Sequence, residues 1–493
     1  MNRTKEKEKM PISKKIKENE ELLKDRLGIG VTFDIGVRKL SLLKKEVQIY
    51  YLNGHCETLF IMEIMKELMD MDHGHRAPSN VKEIIHNHLT HPQVEVTKNL
   101  KDAIDKLVSG LIIILVEGED EAFIVDVRSY PGRQPEEPDT EKVVRGSRDG
   151  FVENIIMNTS LIRRRIRDER LRNEMIQVGE RSKTDICISY LEDVADPGLV
   201  KLIKKEINSI VIDGIPMTDK TIEEFLVKQG FNPFPLVRYT ERPDVASQHI
   251  MEGHVVIIVD TSPSIMIAPT TFFHHVQHAE EYRQTPVIGA MLRWVRFGGM
   301  LASVVLLPLW LLYVLEPDLL PKVIDYIGPN KKANVPIYIQ IMLAEFGIYL
   351  LRLASIHTPN SLAISMGLIA AVLIGQIAID VGLFVPEVIL YVAMAAIGTF
   401  VTPSFELSSA NILMRLVLLT LVMIFKLPGL VIGLTVFILY LASLKNINTP
   451  YLWPFLPFNG KAFFQVMVRV AVPLSKVRPS IVHPQNRKKQ PIR

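Results

Sequence analysis

Cysteine is almost missing from this chain: Cys56 and Cys187 are the two in 493 residues. Thiols so far apart fit no metal or redox spacing. They exclude a disulfide framework and read as ordinary thiols of a reducing compartment. Also missing are a phosphate-binding loop, a GxSxG elbow, a GxGxxG after a strand, and a Cys/His pair placed for catalysis. An enzyme is therefore the least favoured class, and no cofactor is expected. The opening stretch, MNRTKEKEKMPISKKIKENEELLKDRL, lacks any apolar core and does not read as a signal peptide. The first 290 residues are accordingly expected to be cytoplasmic. Acid is lacking at the other end. After Pro473 come Lys476, Arg478, Arg487, Lys488, Lys489 and Arg493 with no Asp or Glu, so this tail is expected on the cytoplasmic face too. Both ends on one side require an even number of membrane spans.

What the second half has in place of charge is apolar length. Phe297–Leu315, Ser361–Ile379, Val388–Phe405 and Leu427–Leu444 carry no charged residue. A helix needs roughly 20 apolar residues to cross the hydrocarbon core, so each is a candidate span. Ile337–Leu353 is apolar apart from Gln340, Glu345 and Arg352, and is open to spanning, re-entering or lying in the interface. Ile412–Leu444 is too long for one ordinary span and is interrupted at Lys426-Leu427-Pro428-Gly429, which leaves a tight hairpin or one kinked helix. Four or six spans satisfy the parity.

The first half is mixed and charged. The expected class is a multi-domain α/β soluble region followed by a polytopic α-helical membrane domain. Residues 1–28 form a charged arm, 29–130 a first α/β subdomain and 131–290 a second. Residues 291–460 form the membrane domain, and 461–493 a basic tail. VTFDIGV and KEVQIYYLN read as strands, Thr58–Asp72 as a helix, and LIIILVEGEDEAFIVDV as a hairpin turning at Gly118-Glu119-Asp120. The Pro- and charge-rich Ser129–Thr140 reads as a linker. Beyond it, TDICISYL and HVVIIVDTSP are strands and Asp196-Pro197 opens a helix. Thr218 or Asp219 can cap TIEEFLVKQ, and Pro243-Asp244 starts a helix ending at Gly253.

Two clusters invite sharper readings. His73, His75, His86, His88 and His91 fall close together, and His274 and His278 would share a helix face, as zinc ligands do. No third ligand or paired cysteine accompanies them, so surface histidines are the expectation and no metal site is assigned. LIRRRIRDERLR packs six arginines into ten residues. Asp168 and Glu169 interrupt it and no aromatic rings interleave, so a salt-bridged packing face is expected rather than a nucleic-acid surface. Basic residues near a bilayer would also attract anionic lipid.

The strongest pattern lies around 361–385. At about 100° per residue, Gly367, Ala371, Gly375, Ala378 and Gly382 fall within roughly 80° of one another. Such a small-residue stripe lets helix backbones approach closely in lipid, so it is the expected helix-packing interface. The opposite face carries Ile369, Leu373, Gln376, Asp380 and Leu383. An intramembrane carboxylate usually faces a bundle interior or a water-filled path, so Ile369, Leu373, Gln376 and Asp380 are the expected pore-lining set. The competing reading has Asp380 snorkelling to the headgroups, with five residues between it and Pro386.

Arg145–Phe151 (RGSRDGF), Leu161–Ile166 (LIRRRI), Arg181–Thr184 (RSKT) before a strand, and Tyr190-Leu191 form one set of motifs. Pro233–Pro235 (PFP), Tyr239–Asp244 (YTERPD), Glu252-Gly253 and Asp260 form another, with Ile374-Gly375-Gln376, Tyr451-Leu452 and Pro454 in the membrane half. Together, over about residues 140–460, they resemble the A-subunit family of bacterial spore germinant receptors, the GerA family. The resemblance implies the inner membrane of the endospore and a homo-oligomer, a pentamer, forming a gated channel for monovalent cations. It also implies partnership with other integral membrane germination proteins. Phe272–Tyr282 (FFHHVQHAEEY) departs from the family's more acidic, serine-bearing run, which favours a relay or amplifying channel over a nutrient sensor. A non-conducting scaffold that docks germination components is the alternative. A secondary transporter would need paired broken helices, and only the interruption at Lys426–Gly429 is visible.

Overall fold

The computed structural model describes residues 10–72, 94–128, 141, 143, 145–319, 327–330, 334–357 and 375–489. The linker at 129–140, the histidines from His73 to His91, and Gly367, Ile369, Ala371 and Leu373 lie outside these. The chain divides into two compact units, one drawn from 1–229, 239–269 and 472–493, the other from 230–238 and 270–471.

The first unit holds two five-stranded sheets. In chain order the first set is α1 (Ile16–Leu27), β1 (Ile35–Leu42), β2 (Lys45–Leu52), α2 (Thr58–Asp72), β3 (Val94–Thr97), α3 (Leu100–Leu107), β4 (Ile112–Val116) and β5 (Ala122–Val125). The second is α4 (Ile155–Arg165), β6 (Leu171–Val178), β7 (Thr184–Leu191), α5 (Pro197–Asn208), α6 (Thr218–Val227), β8 (Arg238–Thr240), α7 (Pro243–Glu252), β9 (Val255–Val259) and β10 (Ile265–Ala268). The first sheet is antiparallel throughout, and in the second the β6–β7, β7–β9 and β9–β10 pairs are antiparallel. The strand orders are β1-β2-β4-β5-β3 and β6-β7-β9-β10-β8, the same path walked twice. The likeness extends to detail. Each sheet's last hairpin follows a helix and a left-handed glycine, Gly110 (φ 97°) or Gly253 (φ 108°). β4 and β9, IIILV and VVIIV, are buried throughout because each sits inside its sheet with both faces covered.

Local chemistry explains the ends. Asn99 caps α3, Asn154 caps α4, and Asp196 caps α5 behind Pro197. The expected cap of α6 is not made. Thr218 already lies inside the helix, and Asp219 accepts instead from the Thr218 and Ser262 hydroxyls, the latter at 3.1 Å. VTFDIGV is extended only from Ile35, because Thr32–Asp34 are spent on a buried joint between the two sheets. There Arg163 donates through Nε and Nη2 to Asp34 at 3.0 and 2.8 Å, Asn173 donates to the same carboxylate at 2.9 Å, and Thr32 bonds to it as well. Arg163 and Asp34 are 1 % and 3 % exposed. The arginine cluster is therefore the salt-bridged face its acids suggested: Arg165 pairs with Asp149, Arg170 with Asp168 and Asp193, and Arg172 with Glu192. Cys56 and Cys187 are free thiols. Residues beyond Val472 do not trail away from this unit: Ile481 and Val482 are buried, and Arg478 donates to the Met251 carbonyl at 2.7 Å.

The second unit is helical: α8 (Phe272–Val276), α9 (Glu280–Arg283), α10 (Pro286–Leu315), α11 (Ile337–His357), α12 (Ala378–Asp380), α13 (Pro386–Phe400), α14 (Phe405–Ser443) and α15 (Gly460–Met467). Three of these, α10, α11 and α14, are long and apolar enough to cross a membrane, and α13 is a shorter apolar helix. α10 and α13 run antiparallel: an added Cβ on Gly398 would sit 2.2 Å from the Gly299 carbonyl, while Trp310 stacks on Tyr391 at 4.7 Å. α14 is a hairpin. Lys426 takes φ 54°, ψ −131°, which no helix accommodates. At about 1.5 Å per residue, Leu418 and Gly433 would be roughly 22 Å apart in a straight helix; instead Leu418 lies 2.7 Å from the position of a Cβ on Gly433. Gly429 and Gly433, four residues apart, let the second limb pack on the first.

Burial, with the charge of Arg163, lowers the His55 pKa from 6.5 to about 4. The unfolded chain takes up this proton below about pH 6.5, so stability falls as pH drops from there toward 4. Burial alone would raise Asp34, but the charge of Arg163 and its hydrogen bonds outweigh that and hold it low. Its contribution is lost only below the ordinary carboxylate range. Melts at pH 7 and pH 5 should differ, and His55→Asn should shrink that difference. Separately, Gly429→Ala would place a methyl 2.1 Å from the Leu421 carbonyl. It should cost about 1–3 kcal/mol, read as a lower Tm in detergent; an unchanged Tm would mean the limbs do not touch there.

Candidate functional site: an ionic node among apolar helices

Four helices of the second unit converge on one guanidinium. Arg415, on the first limb of α14, donates through Nη2 to Glu345 of α11 at 2.6 Å. Its Nη1 donates to the Ser303 carbonyl of α10 at 2.5 Å and to the Thr399 hydroxyl of α13 at 3.2 Å. Arg415 and Glu345 are 2 % and 5 % exposed. Around them Leu307, Ile341, Ala344, Val392, Leu419 and Val422 make an apolar core. An isolated charge there would be costly, and pairing makes both tolerable. Satisfaction is incomplete: Arg415 Nε, Glu345 Oε1 and Asn411 Nδ2, one turn earlier, have no hydrogen-bond partner among the described residues. Buried polar atoms of this kind call for water. The node joins two tasks: it fixes the register of four helices, and it keeps a polar point inside an apolar bundle.

A second ionic cluster holds the start of α10. Glu281, fully buried, accepts from Arg293 at 2.7 Å and from Arg296. Arg293 also donates to the carbonyls of Gln465 and Val466 at 3.0 and 2.8 Å, and Arg469 donates to the Tyr282 carbonyl at 2.8 Å. α15 is thus bound to α9 and α10. The histidine expectation changes here. α8 ends at Val276, so His274 and His278 do not share a helix face; His274 Nδ1 lies 2.8 Å from the Thr271 hydroxyl and closes a capping box.

Of the residues expected from the sequence, Gly375 and Gln376 lie in a wide helical turn that leads into α12. Gln376 and Asp380 are exposed, Ala378 is buried, and a Cβ on Gly375 would meet nothing within 4 Å among the described residues. Asp380 is the last residue of α12. Gly382 is corrected: it lies beyond the helix in a left-handed turn, φ 74°, where its carbonyl accepts from Asn334 at 3.3 Å. Its conformation explains it, and it does not extend the stripe. The ionic node escaped the sequence reading. Its signal was one acid in Ile337–Leu353 and one arginine in the long run after Ile412, opposite charges in two different candidate spans. Thr399, on the next helix, is its hydroxyl partner.

A family model described as Bacillus/Clostridium GerA spore germination protein matches residues 21–481. The chain belongs to the GerA family. It is 62 % identical over 484 residues to Stage V sporulation protein AF of Bacillus subtilis (strain 168), covering 98 % of each chain. It is 27 % identical over 471 residues to the uncharacterized membrane protein YfkQ of the same organism, covering 93 % of this chain and 90 % of that one. Among solved structures, the N-terminal domain of the A subunit of the Bacillus megaterium spore germinant receptor GerK3 is 26 % identical, with a TM-score of 0.42, covering 54 % of this chain and 98 % of that one. This GerA-family chain is a membrane protein of a spore germination family, with an α/β region and a helical region.

The node makes a double-variant test. Glu345→Met alone leaves the Arg415 charge buried and unpaired, which should cost about 3–5 kcal/mol. Adding Arg415→Met should restore much of the loss. Melting in detergent reads both, and losses that simply add would mean the two side chains are not coupled.

Proposed function

We propose that this GerA-family chain is the subunit of a homo-oligomeric, pentameric gated ion channel of the inner spore membrane. It passes monovalent cations during germination as a relay or amplifier, with both termini on the core side. One observation carries the reading. Gln376 and Asp380, one turn apart, are both exposed on the single chain, beside exposed apolar Ile377, Val381 and Leu383. A carboxylate facing lipid costs about 2.5–3.5 kcal/mol near the bilayer centre. Another copy of the chain, or water between copies, removes that cost. Gly375, with nothing within 4 Å of an added Cβ among the described residues, supports close approach of a neighbouring backbone.

In a ring, symmetry multiplies each inward residue. Asp380 forms an acidic ring that favours cations, and Gln376 offers amides to a partly dehydrated ion. Leu373 and Ile369 form apolar constrictions that close by dewetting. The first residues in this order select, and the last two gate.

Flux from purified full-length protein in vesicles tests the proposal against the scaffold reading. The parent oligomer should conduct when triggered, Leu373→Ser should leak without a trigger, and Asp380→Asn should assemble but lose cation preference. Gly375→Leu should insert as a monomer. An intact oligomer that never conducts supports the scaffold; variants at 373 and 380 that behave like the parent move the pore to the span 388–405, with Thr399 and Thr402.

A further inference from the structure

The second unit carries an aromatic surface that neither the ionic node nor the polar turn around Asp380 uses. Its inner rings are packed: Phe273 stacks on Phe455 at 5.0 Å and meets Phe297 of α10 at 6.2 Å, and Phe463 of α15 meets Phe455 at 4.8 Å. Phe297 opens the apolar run of α10, so these contacts set the rings at the level where that span begins. The outer residues of the same turn and helix face outward: Leu456 is 48 % exposed, Phe458 71 % and Phe464 58 %. Phe231 repeats the arrangement. It is wholly exposed, while Phe234 nearby is buried against Phe437 and Tyr440 of the second limb of α14. On that limb Val436 and Leu439 are exposed as well.

Charge complements this surface. The last acidic residue of the chain is Glu406. Lys445 and Lys461, flanking the aromatic turn, are exposed. Arg293 and Arg469 are turned inward, holding backbone carbonyls, so α15 is held against α10 with its aromatic edge outward. Exposed rings on a short amphipathic helix, with lysine beside them and no acid, have the composition of an interfacial segment. Each lysine near an anionic leaflet adds attraction.

We propose that the turn Tyr451–Asn459, helix α15 and Phe231 form a collar embedded in the headgroup layer of an anionic leaflet. The collar anchors the helical unit at the end where α10 begins. It depends on insertion of the chain in a bilayer and not on conduction.

The test uses the full chain in nanodiscs, with Cys56→Ser and the fully buried Cys187 left in place. A nitroxide on Phe458→Cys or Phe464→Cys reports collisions with oxygen, which partitions into lipid, and with a water-soluble nickel chelate. Oxygen should exceed nickel several-fold at both positions, and the reverse should hold at Val211→Cys in the first unit, where the native side chain is 79 % exposed. Nickel access at 458 and 464 equal to that at 211 overturns the collar. Line broadening at 458 and 464 that unlabelled protein relieves also overturns it, assigning the surface to a second copy. Phe458→Trp and Phe464→Trp, which keep a ring, should gain emission quenched by brominated lipid; unquenched emission counts against the proposal. With Lys445→Gln and Lys461→Gln, selection of spin-labelled phosphatidylglycerol over phosphatidylcholine should fall by about fivefold per lysine. An unchanged preference would remove the anionic leaflet from the proposal.

Discussion

The helical unit is organised by one ion pair. Arg415 and Glu345 belong to helices that would otherwise touch through interchangeable apolar side chains, and lipid offers little reason to prefer one register over another. A guanidinium with fixed directions removes that freedom. It takes a carboxylate from α11, a carbonyl from α10 and a hydroxyl from α13, so sliding any of the four helices leaves charge without a partner. Around this point the close glycine contacts become possible: Gly398 against Gly299, and Gly429 and Gly433 against the first limb of α14. The node is also incompletely satisfied, and that distinguishes it from a purely structural staple.

The α/β unit solves a similar problem with the same chemistry. Two sheets of identical strand order could meet in many ways through their apolar helices. Asp34 and Arg163, buried with Asn173 and Thr32, select one. In the α/β unit apolar burial supplies the driving force, in the helical unit close packing does, and in each a buried charge pair supplies the direction. Removing one partner is costly in both because the remaining charge has no water to return to.

The polar features of the helical unit are segregated. The ionic node is buried among four helices, whereas Gln376 and Asp380 are exposed near a turn. A single chain therefore satisfies the first internally and leaves the second for a neighbour or for water. The proposed channel follows from the second feature, and the stability of each subunit from the first. The aromatic collar adds a third level, holding the start of α10 through rings and through arginines bound to backbone carbonyls.

Much of the fold was legible in the residues. Thr58–Asp72, the hairpin around Gly118, and the strands TDICISYL and HVVIIV follow from period, β-branched content and turn residues, which act over a few positions; the strand Ile265–Ala268 that pairs with the last of these was not read. The arginine run read as a salt-bridged face from the acids that interrupt it, yet its partners had to come from the fold: Asp168 pairs within the run, whereas Asp34, Asp149, Glu192 and Asp193 reach it from elsewhere in the chain. The doubled sheet path was not legible, since the two copies share a layout of strands and turns but little sequence. Nor could length alone choose between a kinked helix and a hairpin after Ile412; the backbone at Lys426 and the contact of Gly433 with Leu418 decide it. Gly382 sat on a helical wheel drawn one turn too far, because the wheel cannot see that the helix stops at Asp380. The pairing of Glu345 with Arg415 was beyond periodicity altogether. Local sequence determined which segments are apolar, where they break and which carry a charge. Only the tertiary structure decided which charge meets which, because that depends on helices brought together from positions 70 residues apart.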